Sequence, residues 1–80
     1  MKFETGLIVR SKAGHDKNCF YVVLSVSAES ALLCNGANKT LANPKSKKLL
    51  HLAPTKTVIP NHLLKTNQEI YNSLLQFCRK

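Results

Sequence analysis

The chain has 80 residues, with 12 lysines and arginines against 4 aspartates and glutamates, and a formal charge of +8 at pH 7. This length suits one small domain, and a hydrophobic content of 44% is too high for a disordered basic tail. So short a chain has little room for a catalytic scaffold around a substrate pocket, which in most enzymes measures about 300–1,000 Å³. We therefore expect a binding module and not an enzyme.

The cysteines and the apolar segments indicate where such a module works. No apolar run approaches the roughly 18 residues of a membrane span, and no signal-peptide pattern is expected at the first residues. The three cysteines, Cys19, Cys34 and Cys78, form no CxxC pair, and their odd number does not suit a disulfide framework. Their spacing relative to the histidines matches no zinc pattern. We expect reduced thiols, a cytoplasmic protein, no membrane partner, and neither a metal nor another cofactor.

Five short segments carry the alternation and the turn spacing that predict β-strands. The strongest of them, 19–27, is rich in β-branched and aromatic residues, so its alternate positions should be buried. Tyr21 lies on the opposite face and is the one aromatic residue of this strand that could stack on a base. Short strands joined by tight turns favour a small antiparallel barrel, because closure removes exposed edges. The predicted strands are 7–12, 19–27, 31–35, 39–42 and 49–52, and the expected buried positions of 19–27 are Phe20, Val22, Leu24 and Val26.

A helix is predicted at the end of the chain. After Pro54 the alternation dissolves, and Pro60 does not suit the interior of a helix or strand. Thr66 and Glu69 then have the spacing of a capping box, which marks the start of a helix. The apolar residues that follow lie on one helix face and should pack across an open end of the barrel; they are Ile70, Leu74, Phe77 and Cys78. We thus expect a single domain, with the barrel in 1–54 and a linker and helix in 55–80.

The positive charge is concentrated in the second half of the chain, since no acid occurs between Glu29 and Glu69. This imbalance favours a polyanionic partner, because lysines on phosphates gain affinity from the counterions that they release. The tightest cluster follows Pro44, so its lysines should be exposed on a loop and contact phosphates. The cluster is Lys45, Lys47 and Lys48, and Lys39 and His51 lie on either side of it.

A second basic group surrounds a glycine, in the sequence Gly6-Leu-Ile-Val-Arg-Ser-Lys-Ala-Gly14-His-Asp-Lys17 followed by an apolar strand. This arrangement resembles a KOW motif, in which apolar residues alternate on both sides of a glycine in a basic loop. The match continues through Asn43-Pro44-Lys45 and the helix start at Thr66. The chain is therefore similar to small bacterial KOW-domain RNA-binding proteins, which are related to large-subunit ribosomal proteins of archaea and eukaryotes.

The resemblance implies a mainly β fold, a small SH3-like five-stranded antiparallel barrel with a C-terminal α-helix. It also implies a monomer that binds RNA, ribosomal RNA above all, with ribosomal proteins as candidate neighbours. Asn18 stands where members of the family often have glycine, and asparagine also tolerates a left-handed turn. Asp16, taken by itself, should order its own loop by accepting hydrogen bonds from backbone amides. The loop residues that the resemblance assigns to RNA are Lys12, Gly14, His15, Asp16 and Lys17.

Two other functions stay open on the sequence alone. SH3-like barrels also bind proteins, so a protein–protein interaction adaptor is the main alternative. The aromatic-lined groove of a peptide binder needs several exposed aromatic residues, and this chain has few, which favours RNA. DNA binding differs little in sequence terms, although no recognition helix for the major groove is visible.

Overall fold

A five-stranded antiparallel sheet and one C-terminal helix make up the fold, which confirms the predicted mainly β class with a final helix. The structure is a computed structural model and describes residues 3–78. The strand order in the sheet is β4-β3-β2-β1-β5. The elements are β1 (Leu7–Ser11), β2 (Phe20–Val26), β3 (Ser30–Cys34), β4 (Lys45–Lys48), a 3₁₀ turn (Leu49–His51), β5 (Leu52–Val58), a second 3₁₀ turn (Asn61–Leu64) and α1 (Asn67–Cys78).

The two edge strands of the sheet, β4 and β5, follow each other in the chain. In a flat sheet they would lie about 19 Å apart, because neighbouring strands are spaced by about 4.8 Å. Only the 3₁₀ turn Leu49–His51 joins them, and even a fully extended link of that length spans no more than about 15 Å. The sheet must therefore curl. Within residues 3–78 no ladder pairs β4 with β5, so the sheet is open.

Both faces of the curled sheet are buried. One face holds a core cluster in which β1, β2, β3 and β5 meet. The other face packs against α1. Alternate residues of β1 and β2 thus enter different cores, and polarity does not separate their two faces. The first cluster is Leu7, Val9, Tyr21, Val23, Ala31, Leu33 and Leu52, and the second is Ile8, Val22, Cys34, Ile59, Ile70 and Leu74.

The fourth strand differs from its prediction. Residues 39–42 were predicted as a strand but lie in the irregular connection between β3 and β4. The Asn35 side chain folds this connection back, because its Oδ1 accepts hydrogen bonds from the amides of Ala37 at 2.9 Å and Lys39 at 3.0 Å. The strand forms instead at Lys45–Lys48, where a loop was predicted. Lysine has low strand propensity, but it suits an exposed edge strand.

The fifth strand begins and ends later than predicted. Residues 49–51 form a 3₁₀ turn, and β5 continues past Pro54 to Val58, into a segment that was predicted to be irregular. Pro54 is tolerated because β5 is an edge strand that pairs only with β1. The missing N–H of a proline does not interrupt the ladder there.

Strand β2 leaves the core before its end. Val22 is fully buried as predicted, but Leu24 is only half-buried and Val26 is 40% exposed. The pairing of β2 with β3 shifts register between Val23 and Ser25. Such a bulge places an extra residue in one strand and bends it. The expected burial is therefore confirmed for Val22 and wrong for Val26, whereas Phe20 and Leu24 are half-buried and pack against the second core cluster.

The helix α1 begins at the predicted capping box. Thr66 Oγ1 accepts a hydrogen bond from the Glu69 amide at 3.2 Å and lies 3.2 Å from Glu69 Oε1. Ile70 and Leu74 are buried against the sheet, and the Phe77 ring lies 5.6 Å from the Phe20 ring. The helix therefore packs on one face of the sheet and not across an open end.

The side chain of Cys78, predicted on the apolar face of α1, lies outside the described part of the structure. Between residues 3 and 78, no helix has the length and apolar character that crossing a bilayer requires.

Candidate functional site

The connection between β1 and β2 is a tight loop held by backbone hydrogen bonds. The Asn18 amide donates to the Ser11 carbonyl at 2.7 Å, and the Ser11 amide donates to the Cys19 carbonyl at 2.9 Å. Gly14 has φ +85° and Asn18 has φ +73°, so both occupy the left-handed region. The prediction that these two residues hold left-handed turns is confirmed. The Asn18 side chain also accepts a hydrogen bond from Arg10 at 3.0 Å.

Asp16 folds inward from this loop and bonds to three side chains. Its Oδ1 lies 2.9 Å from Ser11 Oγ and 3.0 Å from Lys47 Nζ. Its Oδ2 accepts a hydrogen bond from the Tyr21 hydroxyl at 2.9 Å. Asp16 orders the loop as expected, but its carboxylate does so through side chains and not through backbone amides. The carboxylate thus links the loop to β1, β2 and β4.

These donors determine the protonation of Asp16. Burial raises the pKa of its carboxyl, but the hydrogen bonds from Lys47, Ser11 and Tyr21 outweigh this effect and lower the pKa from 3.8 to about 2. The group is therefore a carboxylate at neutral pH. Burial and the hydrogen bond to this carboxylate raise the pKa of Tyr21 above its usual value, so its hydroxyl remains a donor.

One cleft of ≈ 470 Å³ lies between the β1–β2 loop, the connection after β3, and β4. We call it the basic cleft. Lys45 and Lys47 reach it from alternate positions of β4, which share one face of the strand. The predicted site residues that line it are Gly14, His15, Asp16, Lys39, Lys45 and Lys47. The predicted residues Lys12, Lys17, Lys48 and His51 are not among those that line it.

The lysine cluster on β4 is not uniformly exposed, contrary to its prediction. The Lys47 side chain is only 13% exposed, and its ammonium group donates to Asp16 Oδ1 at 3.0 Å and to the Ala13 carbonyl at 3.2 Å. The Lys45 side chain is 31% exposed, and its ammonium nitrogen lies 3.9 Å from Asp16 Oδ2. Lys48 is exposed on the opposite face of the strand. Lys47 is thus held by short hydrogen bonds, whereas Lys45 is more exposed and makes a longer ion pair with the same carboxylate.

The tip of the β1–β2 loop carries amides that are free to donate. Within residues 3–78, the N–H groups of Gly14, His15 and Asp16 have no hydrogen-bond acceptor. The next amides, from Lys17 on, donate within the loop. A Cβ at Gly14 would lie 3.5 Å from Asp16 Oδ1 and 3.7 Å from Lys47 Nζ, so Gly14 adjoins both the carboxylate and the lysine of the cleft. Consecutive free amides beside an ammonium group can hold an anion such as a phosphate.

Several residues of the site were not predicted from the sequence. Tyr21 lines the cleft but is only 3% exposed, so its prediction as an open stacking surface is wrong. Among the described aromatic residues, the large exposed one is Tyr71 of α1, at 43%. The bonds of Asp16 could have been expected from the sequence. Asp16 is an isolated acid among basic residues, and such a carboxylate needs hydrogen-bond donors. The lining residues that the sequence did not indicate are Cys19, Asn35 and Asn38.

The site contains no arrangement that indicates metal chemistry. Among the residues that the structure describes, no three side chains of His, Cys, Asp or Glu come together in a way that could hold a metal ion. In the comparisons with known proteins, no family model matches the chain, and no curated protein matches it either.

Proposed function

We propose that the chain is a non-catalytic RNA-binding module that holds phosphates in the basic cleft. The proposal rests on one observation. Lys39, Lys45 and Lys47 line the same cleft as the loop residues 14–16, whose amides have no acceptor. Three separate segments supply these groups. Three lysines face one carboxylate in the cleft, so the local charge is positive, as is the charge of the whole chain at +8.

The chemistry of the cleft suits phosphates better than base edges. Ammonium groups and backbone amides contact phosphate oxygens, and such contacts carry no sequence information directly. Binding should therefore weaken steeply with salt and vary little with RNA sequence. The resemblance to KOW-domain proteins supports RNA, and ribosomal RNA in particular, over other polyanions. It also supports an SH3-like barrel, with which the curl between β4 and β5 is compatible.

We propose that the protein acts in the cytoplasm and as a monomer. Cys19 and Cys34 are both free thiols, which supports a reducing compartment. Burial raises the pKa of the Cys34 thiol to about 11, so this group is protonated and serves packing. We also propose that ribosomal proteins are neighbours of the chain when it is bound to ribosomal RNA.

A matched pair of charge variants tests the proposal. Lys39→Gln/Lys45→Gln removes two charges from the basic cleft and spares Lys47, which has a structural role. Lys56→Gln/Lys65→Gln removes the same charge from exposed positions that do not line the cleft. Affinity is measured by fluorescence anisotropy with a labelled RNA duplex and a labelled oligouridylate, over a range of salt concentrations.

We expect the cleft variant to bind both probes more weakly, with a salt slope lower by up to about 1.8 for the duplex, at about 0.9 per lost contact. The control variant should stay close to the parent. Equal losses in the two variants would show that binding depends on net charge and not on the cleft. If the parent binds neither probe at low salt, the proposal of RNA binding is wrong. Protein–protein interaction then becomes the function to test.

A further inference from the structure

A second concave surface lies next to the basic cleft, between α1 and the start of β2. This groove has a volume of ≈ 780 Å³, within the usual range of sites for small organic groups. Phe20 and Phe77 contribute half-buried rings, and Tyr71 and Leu75 of α1 contribute exposed side chains. We call it the aromatic groove.

The aromatic groove and the basic cleft meet. Cys19 and Asn35 line both of them. A nucleic-acid strand whose phosphate lies against Lys39 and Lys45 can therefore place the neighbouring nucleotide in the groove. This continuity is the first argument for what the groove binds.

The chemistry of the groove provides the second argument. Aromatic rings offer stacking surfaces, which bind unpaired bases of any sequence. Arg10 lines the groove, and its Nη1 donates to Asn18 Oδ1 at 3.0 Å, which leaves its other N–H groups for a base edge or a phosphate. Among the residues that the structure describes, no carboxylate lines the groove. The guanidinium group adds a charged donor beside these rings, which suits the phosphates and base edges of RNA.

We propose that the aromatic groove binds an unpaired nucleobase of the RNA whose phosphates occupy the basic cleft. The substrate class is thus RNA with a single-stranded or bulged nucleotide, and not a continuous duplex. This inference rests on the proposed function. Tyr71 supplies the exposed stacking surface that the sequence had suggested for Tyr21.

The experiment replaces Tyr71 in two ways. Tyr71→Ala removes the ring at an exposed position, and Tyr71→Phe keeps the ring. Leu50→Ala shortens an exposed apolar side chain that does not line the groove and serves as a control. Circular dichroism establishes that each variant is folded. The probes are a dodecamer of uridylate and a blunt-ended RNA duplex of equal length, both measured by anisotropy.

We expect Tyr71→Ala to bind oligouridylate about 10-fold or more weakly, because one base loses its stacking partner. Its affinity for the duplex, which binds through phosphates in the basic cleft alone, should equal that of the parent, and Tyr71→Phe and Leu50→Ala should bind both probes like the parent. If Tyr71→Ala binds both probes like the parent, or loses both equally, the groove does not hold an unpaired base, although RNA binding itself stands. If the parent binds neither probe, both proposals fail together.

Intrinsic fluorescence gives an independent measurement. The chain has two tyrosines and no tryptophan, so the emission comes from Tyr21 and Tyr71, and comparison with Tyr71→Phe isolates the part that comes from Tyr71. Stacking of uridine on Tyr71 should quench this emission, and the quenching should disappear in Tyr71→Phe. Binding of oligouridylate with no change in emission, or with equal quenching in Tyr71→Phe, would overturn the proposal.

Discussion

At the scale of single residues, Asp16 holds the basic cleft together. Its carboxylate bonds to Ser11 on β1, Tyr21 on β2 and Lys47 on β4. The cleft is thus shaped by an acid in the middle of a surface that is otherwise positive. Asp16 reduces the local charge, so its contribution is to position the loop that carries the free amides.

Replacing Asp16 separates this positioning from charge. Asp16→Asn removes the charged acceptor for Lys47, so the free energy of unfolding should fall by about 1–3 kcal/mol. Glu29→Gln makes the same change in net charge at an exposed side chain and should alter stability by no more than about 0.5 kcal/mol. Urea unfolding measures both. Equal stability of the two variants would show that the bonds of Asp16 do not support the fold.

The same group makes stability depend on pH. The pKa of Asp16 is about 2 in the folded protein and 3.8 as an ordinary carboxyl, so the unfolded chain takes up the proton first as pH falls. The stabilising contribution is therefore complete above about pH 4 and is lost as pH falls toward about 2. Urea midpoints measured across this interval should fall for the parent and less steeply for Asp16→Asn. Parallel curves would contradict the lowered pKa.

At the scale of elements, the position of α1 depends on Gly36 in the connection after β3. Gly36 has φ +78°, and a Cβ there would lie 2.8 Å from the Tyr71 amide nitrogen and close to the Asn67 carbonyl. The connection and the helix also share a hydrogen bond, from the Leu41 amide to Asn67 Oδ1 at 2.8 Å. The start of the helix therefore packs closely against this connection at a residue that has no side chain.

Two alanine substitutions isolate this close approach. Gly36→Ala and Gly14→Ala both place a side chain at positive φ, which costs about 1–2 kcal/mol in each. Only Gly36→Ala also collides with the helix backbone, because nothing but the Asp16 and Lys47 side chains lies near a Cβ at Gly14. Thermal unfolding should therefore show a clearly larger loss for Gly36→Ala. A loss of the same size in both would mean that α1 does not depend on this contact.

Local chemistry explains which elements the sequence predicted well. The helix start follows from hydrogen bonds between Thr66 and Glu69, three residues apart, so its signal is contained in a few adjacent positions. The strands β1 to β3 follow from short continuous runs of β-branched and other apolar residues. Strand β4 has no such signal, because it forms by pairing with β3 and its lysines face solvent or Asp16. Pro54 predicted the end of a strand. A proline ends a central strand, but it is tolerated in an edge strand such as β5.

At the scale of the whole molecule, the curl of the sheet brings the site together. Lys47 and Asp16 are 31 residues apart in the chain, and their contact depends on the strand order and on the 3₁₀ turn between the two edges. The sequence identified the basic segments but not which lysines converge, because every exposed lysine has the same local signal. The burial of both faces likewise hid the role of Tyr21, since alternation no longer distinguishes inside from outside.

A titration of ¹⁵N-labelled protein with oligouridylate, followed by amide chemical shifts, locates the RNA on the molecule. If RNA binds at the basic cleft, the largest shifts should occur at the amides of Gly14, His15 and Asp16 and around Lys39 and Lys45, with smaller changes around Lys56 on β5 and at Lys65. The largest shifts around Lys56 and Lys65, with the β1–β2 loop unchanged, would show that RNA does not bind at the cleft.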